Sequence, residues 1–321
     1  MKPFLRRLLV FLLPIAVFFL AAELTLYSLP NTYRLKSKLL HETDTTTETI
    51  VLGNSHAYFG LTPRLMPATV NLANVSQTLS VDKLVLEETL RHKKRLKRVI
   101  LSVDHSNLFD PPLSEGKEYW RTTYYNRYMS LQVGHSRNHV EFETAHVASA
   151  KNKLLSYLKN PVLPCDSAGW GTTYAPAPQD SLLLTPEALR HAARRHAMTS
   201  LRNARKNVSD LLAIVRLCQS RGLQLWLVQP PVMPGYLENI PEQQRRLLRR
   251  LMLRCGTGRN VRVVDMQQDG RFVRGDFHDA DHLNHDGARK FTKILQTDIS
   301  QSAVEVKRGV SVPKQPFYSF P

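Results

Sequence analysis

Cysteine is scarce in this chain of 321 residues, and Cys165, Cys218 and Cys255 are the complete set. Three thiols allow at most one internal disulfide, and their spacing is not that of metal ligands. Cys218 and Cys255, each on a core-facing helical pattern, make the better pair for one; buried free thiols are the equal alternative. Acidic residues are also short, with 27 Asp and Glu against 44 Lys and Arg and a net charge of +17. The standard nucleic-acid-binding motifs are missing, so the basic excess does not point to DNA or RNA. It gathers in residues 91–98, 190–206 and 244–254, each on a helical pattern with a solvated face. Attraction to anionic lipid headgroups or acidic polysaccharide suits it better.

Charge is nearly absent from residues 8–29, where Glu23 is the one side chain charged at neutral pH. Twenty-two helical residues cover about 30 Å, the thickness of a bilayer's hydrocarbon. Lys2, Arg6 and Arg7 precede the run, which places residues 1–7 in the cytoplasm and the remainder outside. Pro14 is tolerable in a membrane helix. A signal peptide cleaved near Ala21 and Ala22 is the competing reading, but the run is long for one. The expectation is an uncleaved helical anchor, continuous and standing apart from the globular part.

Residues 30–47 are polar with no strong period and read as a connector. Short apolar runs at 49–52, 69–74, 98–103, 223–228 and 261–266 then alternate with helical patterns at 81–97, 186–221, 241–254 and 285–297. Such alternation predicts a three-layer α/β/α, flavodoxin-like domain over 48–300 with about five parallel strands. Residues 109–185 break the rhythm. Tyr119, Trp120, Tyr124, Tyr125 and Tyr128 crowd together, and residues 161–178 are rich in proline and glycine. This insertion reads either as a lid or substrate wall, or as an aromatic mini-core. The tail, 301–321, is expected to be poorly ordered.

Two segments carry chemistry. Gly53 breaks the first strand and Asn54, Ser55 and His56 follow at once. A serine on a sharp turn past a buried strand presents its hydroxyl at the sheet's carboxyl edge, where open α/β sheets bind ligands. Alternatively, Asn54 and Ser55 simply cap the next helix. Near the other end, Asp279 and His282 stand three apart, so the carboxylate can hold one ring nitrogen while the other faces that edge. A serine needs such an oriented base to act as a nucleophile. The rival is a metal site built from His278, Asp279, Asp281, His282, His285 and Asp286, although the Glu of a His-Glu-X-X-His motif is missing. Isolated His92, His135 and His191 read as surface residues.

Gly53-Asn54-Ser55-His56 together with Asp279-Ala280-Asp281-His282-Leu283-Asn284 resembles the SGNH/GDSL hydrolase superfamily. Two further blocks are similar: residues 71–78, where Ser76 stands at the usual glycine, and Ser102-Val103-Asp104-His105, where Asp104 replaces the usual asparagine. The resemblance covers about 49–297 outside the insertion. It implies a catalytic Ser55, His282 and Asp279, with no metal or cofactor. It also implies an oxyanion site drawn from the Ser55 and Ser76 backbone N–H groups, with Asp104, Asn107 and His56 lining the pocket. An ionised Asp104 would oppose the oxyanion, so it must be protonated, turned away or engaged elsewhere, with Asn107 or His105 as substitute donor. The layout resembles membrane-anchored bacterial members associated with cell-surface polysaccharides. That implies a single-pass inner-membrane protein whose domain faces the periplasm or exterior and whose substrate bears an ester.

Overall fold

The computed structural model describes residues 2–43, 46–134, 142–176, 182–198 and 200–307, with side chains to 301. Five parallel strands, β1 (Thr49–Leu52), β2 (Thr69–Asn71), β3 (Arg98–Ser102), β4 (Gln224–Gln229) and β5 (Val261–Asp265), lie in the order β2-β1-β3-β4-β5. β1 pairs with β2 on one side and β3 on the other, Val51 lying opposite both Asn71 and Ile100. The chain therefore reverses its direction of travel across the sheet between β1 and β3. That reversal opens a crevice at their carboxyl ends.

Alternation along the strands divides the core into two. Ile50, Leu52, Val99, Leu101, Leu225 and Leu227 face one side. There they meet α2 (Thr32–His41), α4 (Leu79–His92), α6 (Arg121–Met129), α9 (Leu201–Ser220) and α11 (Glu242–Gly256). Val51, Ile100, Trp226 and Val228 face the other side, against α3 (Ser55–Gly60) and α12 (His285–Lys307). On α12 the buried residues Phe291, Leu295 and Ile299 recur every fourth position, each contributing about 1.5–3 kcal/mol of burial. A third cluster joins α8 (Pro186–Arg195) and α10 (Pro234–Glu238) to Ala280, beside the site. The sheet is thus covered on both faces, the three-layer α/β/α arrangement.

Several expectations change. The connector contains helix α2, whose Tyr33, Lys36 and Leu40 are buried; the buried lysine interrupts what would otherwise read as an apolar stripe. α1 (Lys2–Ser28) is continuous, but its carboxyl end does not stand apart. Glu23 and Leu26 are buried there, and α1 meets α7 (Val147–Lys159). The long pattern over 186–221 splits into α8 and α9, and Gln244 meets two of the backbone groups freed between them. Its side chain accepts from the Met198 N–H at 2.9 Å and donates to the His196 carbonyl at 2.7 Å. The insertion does not form a separate mini-core either: Tyr124, Tyr125 and Tyr128 join the main core. All three cysteines are free and buried. α12 runs on to Lys307, and the rest of the expected tail lies outside the described residues, as does His135. His191 is exposed, whereas His92 is half-buried with Nε2 3.0 Å from Glu88.

Candidate active site

β1 ends at Leu52 and the chain turns at Gly53, whose φ is +125°. A Cβ there would come within 2.1 Å of Ser102 Oγ, so the turn requires glycine. The Gly53 N–H donates to Asp82 Oδ1 on α4 at 2.8 Å, and Asn74 N–H donates to the Gly53 carbonyl at 3.2 Å. Burial pushes the Asp82 carboxyl up to about 7, against the lowering effect of its Gln77 and Gly53 donors. Asn54 caps α3 by accepting from the His56 N–H at 3.0 Å. Asn54 is therefore the cap, and Ser55 is the first residue of the helix.

The other half comes from the loop before α12. Phe277 and Leu283 form an antiparallel bridge, and His278 N–H donates to the His282 carbonyl at 2.9 Å. Inside this loop Asp279 Oδ1 accepts from the backbone N–H of Asp281 at 3.1 Å and of His282 at 2.9 Å. The same carboxylate lies 2.9 Å and 3.1 Å from His282 Nδ1. The opposite nitrogen, Nε2, lies 2.8 Å from Ser55 Oγ. With Nδ1 protonated toward Asp279, Nε2 is the acceptor of the serine proton. Burial raises the Asp279 carboxyl, but His282 outweighs it and holds the group below its ordinary value. Residues 227 positions apart meet here at the sheet's crevice.

Beneath the imidazole lies a buried ionic network. His56 Nδ1 is 2.8 Å from Asp104 Oδ2, and its Nε2 is 3.2 Å from Asp281 Oδ2. Burial alone would discharge this ring, yet Asp104 and Asp281 raise it to about 10, so His56 is an imidazolium at neutral pH. Burial would likewise raise both carboxyls, but His56 and Ser106 lower Asp104, and His282 and His56 lower Asp281. Asp281 Oδ1 also stands 3.6 Å from His282 Nδ1. His56 thus offsets the repulsion between Asp279 and Asp281, two carboxylates sharing one loop.

The remaining expected pocket residues are used differently. Asp104 is ionised and engaged elsewhere. Besides His56, it accepts from Asn54 Nδ2, from Ser106 Oγ at 2.8 Å, and from the N–H groups of Ser106 and Asn107. Asn107 is drawn into the turn after β3, where its Nδ2 donates to the Ser102 carbonyl at 2.7 Å and its Oδ1 accepts from the Asp104 N–H. His105 stacks on Phe109, and burial lowers its ring to about 4. His56 is sealed in the network and does not line a pocket. Ser76 adopts a left-handed φ of 58°, and its hydroxyl donates to Glu118. The backbone N–H groups of Ser55 and Ser76 have no hydrogen-bond partner among the described residues.

The six-residue metal cluster does not assemble. His278 Nδ1 lies 3.1 Å from the Ala175 carbonyl, and His285 packs against Trp170. His56, Asp281 and His282 do offer atoms within 4.8 Å of one another, but both nitrogens of His282 are already taken by Ser55 and Asp279.

Three contributors escape a reading of the motifs. Asp281 lies within the second motif, and the sequence gives it no role there beyond that of a metal ligand. Asp82 lies in an ordinary charged helix, with nothing local to mark its bond to Gly53. Tyr174, from the insertion, stacks between Phe59 and His278 with ring centroids 3.6 and 4.0 Å apart, and meets His282 edge-on at 5.3 Å. Only the proline- and glycine-rich composition around Tyr174 hinted at a wall there.

No family model matches the chain, and no curated protein does. Among solved structures it is similar to one from Streptococcus pneumonia described as a "putative platelet activating factor". The TM-score is 0.44 and the identity 10%, over 90% of this chain and 97% of that one.

Proposed function

We propose that the chain is a membrane-anchored serine esterase or O-acyltransferase of the SGNH/GDSL type, acting on acyl esters of cell-surface polysaccharide. The observation that carries this reading is the Ser55–His282–Asp279 relay, with contacts of 2.8 and 2.9 Å at the crevice of a parallel sheet. Ser55 Oγ attacks the ester carbonyl as His282 Nε2 takes its proton. Asp279 orients the ring and stabilises the imidazolium. The N–H groups of Ser55 and Ser76 serve the oxyanion, a duty that backbone donors can carry without a side-chain amide. His282 returns the proton to the leaving alcohol, and an acyl-serine remains. Water resolves it in a hydrolase and a sugar hydroxyl in a transferase.

α1 is long and apolar enough to cross a membrane. With Lys2, Arg6 and Arg7 before it, the reading puts the amino terminus in the cytoplasm of a bacterium and the site in the periplasm.

A second reading, a polysaccharide-binding module that no longer catalyses, is favoured by Asp104, a locked carboxylate where the superfamily has an amide. Labelling with a fluorophosphonate separates them. An acyl-transfer enzyme is labelled, and Ser55→Ala is not; an unlabelled wild-type chain supports the binding module.

A further inference from the structure

Glu23 lies five residues before the end of α1 and is buried against the domain. Its carboxylate accepts from the N–H groups of Glu143 and Thr144 and from the Thr144 hydroxyl, each at 3.1 Å, and pairs with Arg127. Lys153 on α7 donates to the Leu26 carbonyl at 2.8 Å and to Glu143 at 2.7 Å. Residues 143–153 are thereby fastened at the level of Glu23 and Leu26. Tyr27 stacks on Tyr128 with Arg34 over its ring at 4.2 Å, an aromatic and basic pairing suited to a membrane–water boundary.

That level matters because α1 is short of uncharged length. Fifteen residues separate Arg7 from Glu23, about 22 Å of helix, against a hydrocarbon thickness of about 30 Å. Snorkelling by Arg7 recovers part of the difference. The rest falls on the last turns of α1, so what is fastened there sits at the outer boundary of the bilayer.

α7 is built for such a boundary. Ser149, Lys153 and Tyr157, spaced by four, form its half-buried stripe toward the domain. On the other side Val147 is 73% exposed, Leu154 38%, Leu155 43% and Leu158 68%, continued beyond the helix by Val162 at 71%. Exposed Lys151 and Lys159 accompany them. A contiguous apolar face of this kind marks an interaction surface. Beside a membrane helix, with lysines among the apolar residues, it has the composition of an interfacial helix.

We propose that α7 is a second membrane contact, its Val147, Leu154, Leu155 and Leu158 face lying in the headgroup–acyl boundary of the bilayer that α1 spans. The inference rests on α1 crossing the membrane. Two attachments, one spanning and one interfacial, hold the domain at a set height and stop it turning about α1.

The test uses the full chain in phosphatidylcholine–phosphatidylglycerol vesicles, with an environment-sensitive fluorophore on Leu154→Cys, Leu158→Cys or, on α11, Leu253→Cys. The unsubstituted chain gives the background from the buried native thiols. Dye at 154 and 158 should shift to the blue and be quenched by nitroxide lipids, while dye at 253 stays water-like. A water-like signal at 154 and 158, in a chain that survives an alkaline wash of the vesicles, overturns the interfacial contact and spares the anchor. Release of the chain by that wash overturns both. Disulfide cross-linking between copies of the unlabelled Leu158→Cys chain, without lipid quenching of the labelled one, assigns the face to a second copy instead.

Discussion

His56 Nδ1 lies 2.8 Å from Asp104 Oδ2, with both side chains closed off from solvent. Together with Asp281 on the other nitrogen, this raises the ring from 6.5 to about 10. A histidine whose folded value is raised contributes stability that is complete below the unfolded value and disappears as pH climbs through the folded one. The wild-type melting temperature should therefore fall between about pH 6.5 and 10. His56→Gln should melt lower at pH 7, by about 3–5 kcal/mol for a broken buried pair, and fall less steeply over the same range. Equal slopes for the two proteins would show that His56 is not charged in the fold.

Asp104→Asn restores the residue that the superfamily resemblance calls for, yet it should not raise activity. Asp104 is the anionic partner of His56 and the N-cap of helix α5 (His105–Phe109), which follows β3. The amide leaves a buried imidazolium facing one carboxylate instead of two. The expected result is a loss of about 3 kcal/mol in denaturant unfolding, with esterase turnover unchanged or lower. A rise in turnover at unchanged stability would mean that this position does serve the oxyanion.

Gly53→Ala combines an unfavourable φ with a Cβ at 2.1 Å from Ser102 Oγ. Rotation of the Ser102 hydroxyl relieves the closest contact, but the φ strain of about 1–3 kcal/mol and the Ala57 and Ser102 Cβ atoms at 3.2 Å still press on the turn. The expected outcome is a folded, less stable protein with sharply reduced fluorophosphonate labelling, because Ser55 is carried two residues on. Gly53→Ala/Ser102→Gly, which opens the space but leaves the φ, should recover part of the labelling.

Tyr174→Ala removes the ring stacked on His278 and Phe59 while sparing the relay. Turnover of a bulky ester should suffer mainly through KM, and labelling by a small fluorophosphonate should be nearly unchanged. A collapse of both would assign Tyr174 to holding the His282 loop instead.

The parts of this fold that were legible are those written locally. The runs before Gly53 and Asp104 are short, apolar and glycine- or Asx-terminated, and they became β1 and β3. Asp279 and His282 were legible as a pair because they are three residues apart. What failed was written at a distance. The stripe of α2 passes through Lys36, which is buried with its ammonium 4.3 Å from the Tyr58 ring, so its period did not look apolar. The backbone groups freed at the break between α8 and α9 are met by Gln244, from another helix. His56 looks like a pocket residue in the sequence because its partners, 48 and 225 positions away, make it a buried ion only once the sheet has formed. The identity of Asp104 posed the right question, and the answer lay in that same long-range pair.

The most direct measurement is turnover of a soluble acetyl ester by wild-type chain, Ser55→Ala, His282→Ala and the double variant, each checked for its fold. Nucleophile and base that act as a unit do not add. Each single variant should lose about 10⁴-fold or more, and the double variant should lose no more than the worse of the two. Losses that multiply, or turnover that survives Ser55→Ala, would contradict the relay.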